Sequence, residues 1–243
     1  MKINVLLSPL TADELYFTGK TVVAIDVLRA TTVITEALSN GAKEIIPVGT
    51  IEFAMKVSGN SFGGQTLLGG ERNTKKIEGF NLGNSPLEYS KEVVEGKSII
   101  LFTTNGSKAI VKAKFSENLF ICSFNNLKTV VNHIVELNKD FEIICAGQNG
   151  KFCLEDSVCA GRIINEISKV KEDVELNDSA RAVVVLNKSF GKSIRKMLAE
   201  SEHGKILIDN GFEGDIEHCS KSNTTEVIPY LNQSVIKRLE PGR

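Results

Sequence analysis

Short apolar runs alternate with amphipathic stretches along most of this chain, and the two patterns predict strands and helices in turn. The apolar runs predict strands at residues 3–7, 21–25, 44–48, 65–69, 98–102, 118–121, 141–145, 225–230 and 234–239. The amphipathic stretches predict helices at residues 30–39, 52–58, 106–112, 127–137 and 155–169, and two more within 178–200 that break around Phe190 and Gly191. This alternation predicts an α/β fold in which helices cover both faces of a mostly parallel or mixed sheet.

The last two predicted strands are expected at an edge of the sheet. Pro229 lies in the first of them, and a proline that cannot donate to a strand ladder is typical of an edge. An edge position would leave these strands open to pairing with a second copy, so a homo-oligomer is one expectation. The chain carries no flexible linker and no internal repeat, and we expect residues 1–243 to form a single α/β domain.

The charge composition disfavours several classes of partner. Lys plus Arg number 29 and Asp plus Glu number 30, so no basic field would attract nucleic acid or an anionic membrane surface. No apolar run approaches membrane-spanning length, and the N-terminus lacks a signal pattern. Five cysteines follow no metal-finger spacing, which favours reduced thiols and a cytoplasmic location. Any anion site on this chain is therefore expected to be local.

Two adjacent acids follow a glycine-rich loop after the predicted strand at 141–145. Glu155 and Asp156 stand at the start of a predicted helix, and α/β proteins place ligands at loops of this kind. Carboxylate oxygens are ligands that Mg²⁺ takes. Acids are also enriched in first helical turns because they suit the helix dipole, so this pair alone leaves both interpretations open.

Asp26 and Arg29 follow the predicted strand at 21–25. An Asp in this position is suited to hold a metal ion or to act as a nucleophile, and the planar guanidinium of Arg29 suits a phosphate group. Asp26 could instead cap the helix that follows. The haloacid-dehalogenase phosphatases require a second Asp two residues after the first, and Leu28 occupies that position, so that class is excluded.

Three further loops carry polar residues of the same kind. Glu71 and Arg72 lie in a glycine-rich loop after the strand at 65–69, and residues 79–86 form a loop rich in turn formers. The loop after the strand at 98–102 opens a helix. Its hydroxyls, amide and glycine suit a phosphate-like anion or plain helix capping: Thr103, Thr104, Asn105 and Gly106.

A parallel sheet would gather these five loops at one of its edges. Carboxylates that hold a divalent ion beside arginines suit phosphoryl transfer, because that chemistry depends mainly on positioning and charge neutralisation. The chain has neither a P-loop lysine motif nor a dinucleotide fingerprint, which disfavours a nucleotide cofactor. Its three histidines lie outside these loops, which disfavours a His-based zinc site or a phosphohistidine mechanism.

The five loops carry motifs that are specific as an ordered set between about residue 20 and residue 165. They read VVAIDVLRATT around Asp26 and Arg29, GGERN around Glu71 and Arg72, GFNLGNSP at 79–86, TTNG at 103–106, and LED at 154–156. Together they resemble the motifs of the 2-phosphosulfolactate phosphatases, and Gly214-Asp215-Ile216 continues the resemblance.

The resemblance implies a three-layer α/β/α fold and a Mg²⁺-dependent phosphatase that converts 2-phosphosulfolactate to 3-sulfolactate, on the route to coenzyme M or in other sulfonate metabolism. Asp26, Glu155 and Asp156 would hold Mg²⁺, with Glu71 as a further acid that acts through water. Arg29, Arg72 and the segment Thr103 to Gly106 would bind the small anionic phosphorylated substrate. The catalytic set would be Asp26, Arg29, Glu155 and Asp156, with either a metal-oriented water or Asp26 as the nucleophile.

Two other functions stay open on the sequence. Another small phosphorylated hydroxy acid, such as phospholactate or phosphoglycerate, would need the same chemistry and would differ only in what meets the sulfonate. A non-enzymatic anion-binding protein would use the same loops without turnover. Asp215 would be either a further site residue or part of a surface turn.

Overall fold

A computed structural model describes residues 1–59 and 65–240 and has an α/β fold. Eleven strands within these ranges form one mixed sheet: β1 (Lys2–Leu6), β2 (Thr21–Ile25), β3 (Glu44–Pro47), β4 (Thr66–Arg72), β5 (Lys75–Lys76), β6 (Ser98–Phe102), β7 (Asn118–Cys122), β8 (Phe141–Cys145), β9 (Glu175–Leu176), β10 (Pro229–Asn232) and β11 (Val235–Arg238). Ten α-helices accompany them: α1 (Ala30–Ser39), α2 (Ile51–Gly59), α3 (Lys91–Val94), α4 (Gly106–Lys112), α5 (Leu127–Leu137), α6 (Leu154–Ile167), α7 (Asp178–Phe190), α8 (Ile194–Glu200), α9 (Glu202–Asp209) and α10 (Glu213–Cys219).

The predicted strands and helices are present, and the bounds of α1, α4, α5, β2, β6 and β8 agree residue for residue. The strand predicted at 225–230 is displaced, because β10 begins only at Pro229. The helical region after Asp178 breaks as expected, because α7 ends at Phe190 and α8 begins at Ile194. The sequence did not predict α3, α9, α10, β5 and β9. Each of these elements has between two and eight residues, which is too short for a hydrophobic period to stand out.

The C-terminal hairpin is not at an edge of the sheet, and that prediction is wrong. The strand order is β5-β4-β6-β3-β11-β10-β7-β2-β8-β1-β9, so β10 and β11 lie between β3 and β7. Tyr230 pairs with Phe120 on one side of the hairpin and Ile236 pairs with Ile45 on the other. Pro229 is the first residue of β10, a position where a strand tolerates the missing N–H. The argument for a homo-oligomer that depended on an open edge therefore has no basis.

The hairpin joins two parallel blocks of strands that run in opposite directions. Strands β4, β6 and β3 are parallel to one another, and so are β7, β2, β8, β1 and β9. The three contacts between the blocks, β3 with β11, β11 with β10 and β10 with β7, are all antiparallel. The expectation that one parallel sheet gathers all the loops at one edge is therefore wrong, because a flat sheet would place the two sets at opposite edges.

The fold nevertheless brings both sets of loops together, because α1 and α4 pack on the same face of both strand blocks. Val22 from β2 and Ile99 from β6 belong to one buried apolar cluster with residues of α1, α4 and the C-terminal hairpin. Adjacent strands also twist by roughly 20–25° each, so the direction turns substantially over the five steps between β2 and β6. The N-termini of α1 and α4 consequently meet between the two blocks.

The opposite face of the sheet carries other helices, which completes a three-layer α/β/α arrangement. Val23 and Ile25 alternate with the residues of β2 that face α1, and they pack with residues of α5, α6 and α7. Among the described helices, none is both long and apolar enough to cross a membrane.

Candidate active site

Asp26 lies where the N-termini of α1 and α4 meet. It follows β2 directly and is buried, and its Oδ1 accepts a hydrogen bond of 3.1 Å from the backbone N–H of Ala30 in the first turn of α1. Gly106, the first residue of α4, packs against the same carboxylate. A Cβ atom on Gly106 would lie 2.5 Å from Asp26 Oδ2 and 2.4 Å from Ala30 Cβ. The positive ends of two helix dipoles therefore converge on this acid.

We expect Gly106→Ala to destabilise the protein, because its new methyl group would overlap Asp26 and Ala30. Overpacking of this kind typically costs about 1–3 kcal/mol, which the free energy of unfolding in urea would measure. Gly49→Ala is the matched control, since no atom lies within 4 Å of a Cβ placed there. Equal stability of the two variants would contradict the close contact between α4 and Asp26.

The Asp156 carboxylate forms hydrogen bonds with both the loop after β2, which carries Asp26, and the loop after β8. Its Oδ1 accepts from the backbone N–H of Val27 at 2.9 Å, and its Oδ2 accepts from that of Gly147 at 3.0 Å. Asp156 and its neighbour Glu155 are both buried in the first turn of α6. Two carboxylates of the sequence-predicted site thus stand in the interior, close below the loop that carries Asp26.

The carboxylates of Asp26, Glu155 and Asp156 make one another's ionisation less favourable. Burial, and next the neighbouring carboxylate of Asp156, hold the pKa of Asp26 well above its ordinary range. Burial and the same neighbour raise the pKa of Glu155 to about 7. Burial also raises the pKa of Asp156, against the lowering effect of its backbone hydrogen bonds. Clustered acids with perturbed pKa values are typical of functional sites, and a bound cation would relieve their repulsion.

Glu71 joins the loop after β4 to the loop after β6. Its Oε1 accepts from the backbone N–H of Thr104 at 2.7 Å, and its Oε2 accepts from that of Thr74 at 3.0 Å. Thr103 and Ser107 each accept the other's backbone N–H through a side-chain oxygen, and Asn105 Oδ1 accepts from the N–H of Asn149. Much of the donor capacity of the predicted anion cradle at 103–106 is therefore used inside the protein.

Arg29 is paired with a buried acid. Its Nη1 donates to Asp215 Oδ2 at 2.5 Å and its Nη2 donates to the backbone oxygen of Thr74 at 2.9 Å. Asp215 Oδ1 also accepts a hydrogen bond of 2.6 Å from the hydroxyl of Ser85. Of the two interpretations of Asp215, the surface turn is wrong, since the residue is 2% exposed. The charge of Arg29 is thus neutralised within the protein, and its contact with a substrate stays a prediction.

An open cavity of about 200 Å³ lies above these groups. Its wall includes side chains from both blocks of the sheet and from α9: Asp26, Leu28, Arg29, Glu71, Asn73, Thr74, Asn84, Thr103, Thr104, Asn105, Gln148, Asn149, His203, Ile206 and Asn210. Among the predicted site residues, Arg72, Gly106, Glu155 and Asp156 are not part of this wall. Arg72 is exposed, while Glu71 before it in β4 is buried, as the alternation of a strand requires.

Sequence reasoning gave no role to nine residues of the cavity wall, and three of these have polar side chains that bear on the chemistry: Thr74, Asn84 and His203. Asn84 stood within a motif but had no assigned role, and Thr74 stood beside one. His203 was set aside because it lies far along the chain from the motifs, yet α9 brings it to the cavity. Burial, and next the positive charge of Arg29, lower the pKa of His203, and its Nδ1 lies 3.3 Å from Gln148 Nε2.

The acids do not form a metal cage. Within residues 1–59 and 65–240, no group of three or more His, Cys, Asp or Glu side chains is arranged to hold a metal ion. Mg²⁺ usually keeps several waters and takes only one or two carboxylates, so a cage is not required. Asp26 and Glu71 are the two acids on the cavity wall, and each carboxylate oxygen can accept more than one interaction. This donor set fits a hydrated Mg²⁺ ion.

Comparison with known proteins agrees with the motifs. A family model described as 2-phosphosulpholactate phosphatase matches residues 9–234. A probable 2-phosphosulfolactate phosphatase of Clostridium novyi (strain NT) is 41% identical over 238 residues, which cover 98% of this chain and 100% of that protein. Another, from Clostridium perfringens (strain SM101 / Type A), is 39% identical over 244 residues, which cover 100% of this chain and 98% of the relative. The chain therefore belongs to the 2-phosphosulfolactate phosphatase family, a family of phosphoric monoester hydrolases.

Proposed function

We propose that this protein hydrolyses 2-phosphosulfolactate to 3-sulfolactate and phosphate. The observation that carries the proposal is the position of Asp26, a buried carboxylate on the cavity wall at the meeting point of two helix N-termini. Helix N-termini favour bound phosphate groups, and an acid in the same place can act on the phosphoryl group. A cavity of about 200 Å³ suits a substrate with a three-carbon skeleton.

The protein's own groups would act in two ways. Asp26 contacts the reacting phosphoryl group, either as the nucleophile or as the acid that orients an attacking water. Asp156 keeps the loops after β2 and β8 at a fixed separation through its bonds to Val27 and Gly147, so Asp26 is held in position. Fixed groups of this kind lower the barrier because they need no reorganisation during the reaction.

Mg²⁺ is part of the proposal. Asp26 and Glu71 would hold it at the cavity wall, with Glu155 and Asp156 adding negative charge from below. When bound, the ion supplies charge neutralisation for the phosphoryl oxygens. The support for a cation is the burial of these acids and, next, their mutual repulsion, which together raise the pKa values of Asp26 and Glu155.

The proposal predicts phosphate release from 2-phosphosulfolactate that requires Mg²⁺ and stops in EDTA. The assay would include 2-phospholactate and 3-phosphoglycerate, which lack the sulfonate. Faster turnover of 2-phosphosulfolactate than of the other two compounds at low concentration supports 2-phosphosulfolactate as the substrate. Faster turnover of another compound would make that compound the substrate of the same reaction. A folded protein that releases no phosphate from any of the three, with Mg²⁺ present, would favour an anion-binding protein instead.

The proposed product also suggests a setting. Because 3-sulfolactate is a sulfonate, we propose that the protein acts in sulfonate metabolism, including the synthesis of coenzyme M. We further propose a reducing compartment such as the cytoplasm. All five cysteines are buried and free, which is compatible with that environment.

A further inference from the structure

Two buried polar side chains on the cavity wall have atoms without a hydrogen-bond partner. Thr74 Oγ1 and Asn84 Oδ1 find no partner among the described residues, although the two side chains are only 8% and 5% exposed as residues. Buried polar atoms are nearly always paired in proteins, so each exception requires an explanation. Both residues line the same cavity, which points to a ligand that is their partner when bound.

Within the described part of the chain, the hydrogen bonds of Thr74 leave only its hydroxyl unpaired. Its backbone N–H donates to Glu71, and its backbone oxygen accepts from Arg29. It lies in the turn between β4 and β5 with a positive φ of 68°. The backbone of Thr74 is thus engaged on both sides, which holds the residue and its unpaired hydroxyl in place on the cavity wall.

The loop that carries Asn84 is held by the ion pair between Arg29 and Asp215. Ser85, the next residue, donates its hydroxyl to Asp215, whose other oxygen pairs with Arg29. Neither atom of the Asn84 amide makes a hydrogen bond with the described residues. The Arg29–Asp215 pair therefore holds two separate segments, each with a free polar group on the cavity wall.

We propose that Thr74 and Asn84 bind an oxyanion of the substrate, and that the Arg29–Asp215 pair positions them. The identity of the substrate rests on the proposed function. The Thr74 hydroxyl can donate to the oxyanion, and a half-turn of the Asn84 amide presents its N–H group to the same ligand. Neutral donors are needed here because Asp215 already neutralises Arg29, while Asp26 and Glu71 make the remaining wall acidic.

The test measures the affinity of the full-length protein for 3-sulfolactate and for inorganic phosphate by calorimetry. Thr74→Val and Asn84→Leu each replace the free polar group with an apolar group of similar size. We expect each variant to bind one of these anions about tenfold more weakly, as loss of one hydrogen bond to a charged group predicts. The anion that is affected shows whether the pair binds the phosphate or the sulfolactate part. Thr74→Ser keeps the hydroxyl, so we expect it to keep the affinity.

A second measurement separates binding from a structural role. Without ligand, urea unfolding should show Thr74→Val and Asn84→Leu to be as stable as the unmodified protein or more so, since an unpaired buried group is removed. Asn187→Leu is the matched control. Its Oδ1 is also buried without a partner among the described residues, but it lies in α7 away from the cavity wall. It should leave both affinities unchanged.

Lower stability of the cavity variants with unchanged affinity for both anions would overturn the inference, and so would an unmodified protein that binds neither anion. The affinity measurement requires no turnover. An unmodified protein that releases no phosphate but binds an anion through Thr74 and Asn84 would therefore reject the proposed function and support this inference.

Discussion

Asp26→Asn is expected to reduce kcat for phosphate release by about a thousandfold, the order of effect seen when an acid or base group is removed. The amide keeps the shape of the side chain, and its oxygen can still accept the N–H of Ala30. The amide cannot act as a nucleophile, cannot accept a proton from an attacking water, and has no negative charge with which to bind a cation. The loss should therefore appear in turnover while the fold stays intact.

The stability of the same variant gives an independent check. The pKa of Asp26 is raised because burial and Asp156 disfavour its charge, so a neutral amide removes a repulsion. We expect the free energy of unfolding of the metal-free protein near pH 7 to be unchanged or higher. Asp173→Asn is the matched control, since Asp173 is exposed and remote from the cavity wall. If Asp26→Asn retained near-normal kcat, Asp26 would be a helix cap and no more.

Arg29→Met is expected to lower the free energy of unfolding by about 3–5 kcal/mol, because it leaves the buried carboxylate of Asp215 without its partner. The loss arises from desolvation, since among the described residues the Asp215 carboxylate then keeps only the hydrogen bond from the Ser85 hydroxyl. Urea unfolding at neutral pH measures it. Arg29→Met combined with Asp215→Leu should recover part of the stability, since it removes both charges.

An exposed ion pair offers the matched control for this prediction. Arg195 pairs with Glu217 on the surface, with side chains 60% and 57% exposed. Arg195→Met should lower stability by less than about 1 kcal/mol, because solvent screens such a pair. Similar losses in Arg29→Met and Arg195→Met would show that the buried pair contributes no more than a surface pair.

The motifs identified much of the candidate site because each is local. Asp26 follows a strand and opens a helix within a few residues, and both elements show in the hydrophobic pattern. Thr104 and Glu71 were both named, but their hydrogen bond was not predicted. This hydrogen bond depends on the pairing of β4 with β6, and the sequence of a strand does not show which strand it pairs with.

Arg29 shows most clearly what a local sequence pattern cannot predict. Its sequence context suggested a clamp for an anion, but in the fold it is 2% exposed and bound to Asp215, which is 186 residues away. His203 and Thr74 reach the cavity by the same kind of long-range packing. A side chain's partner decides whether its charge is free, and no local pattern reveals a partner at that separation.

Local sequence patterns were sufficient for the α/β class, for the presence and approximate position of most strands and helices, and for the five ordered motifs of the 2-phosphosulfolactate phosphatase family. These follow from hydrophobic periodicity and turn chemistry, which act over a few residues. Three features emerge only from the fold: the C-terminal hairpin joins two opposed blocks of strands, α1 and α4 pack against both blocks, and an ion pair holds two segments of the cavity wall. These depend on strand pairing and burial between distant segments, where one pairing alters the environment of every side chain on both sides.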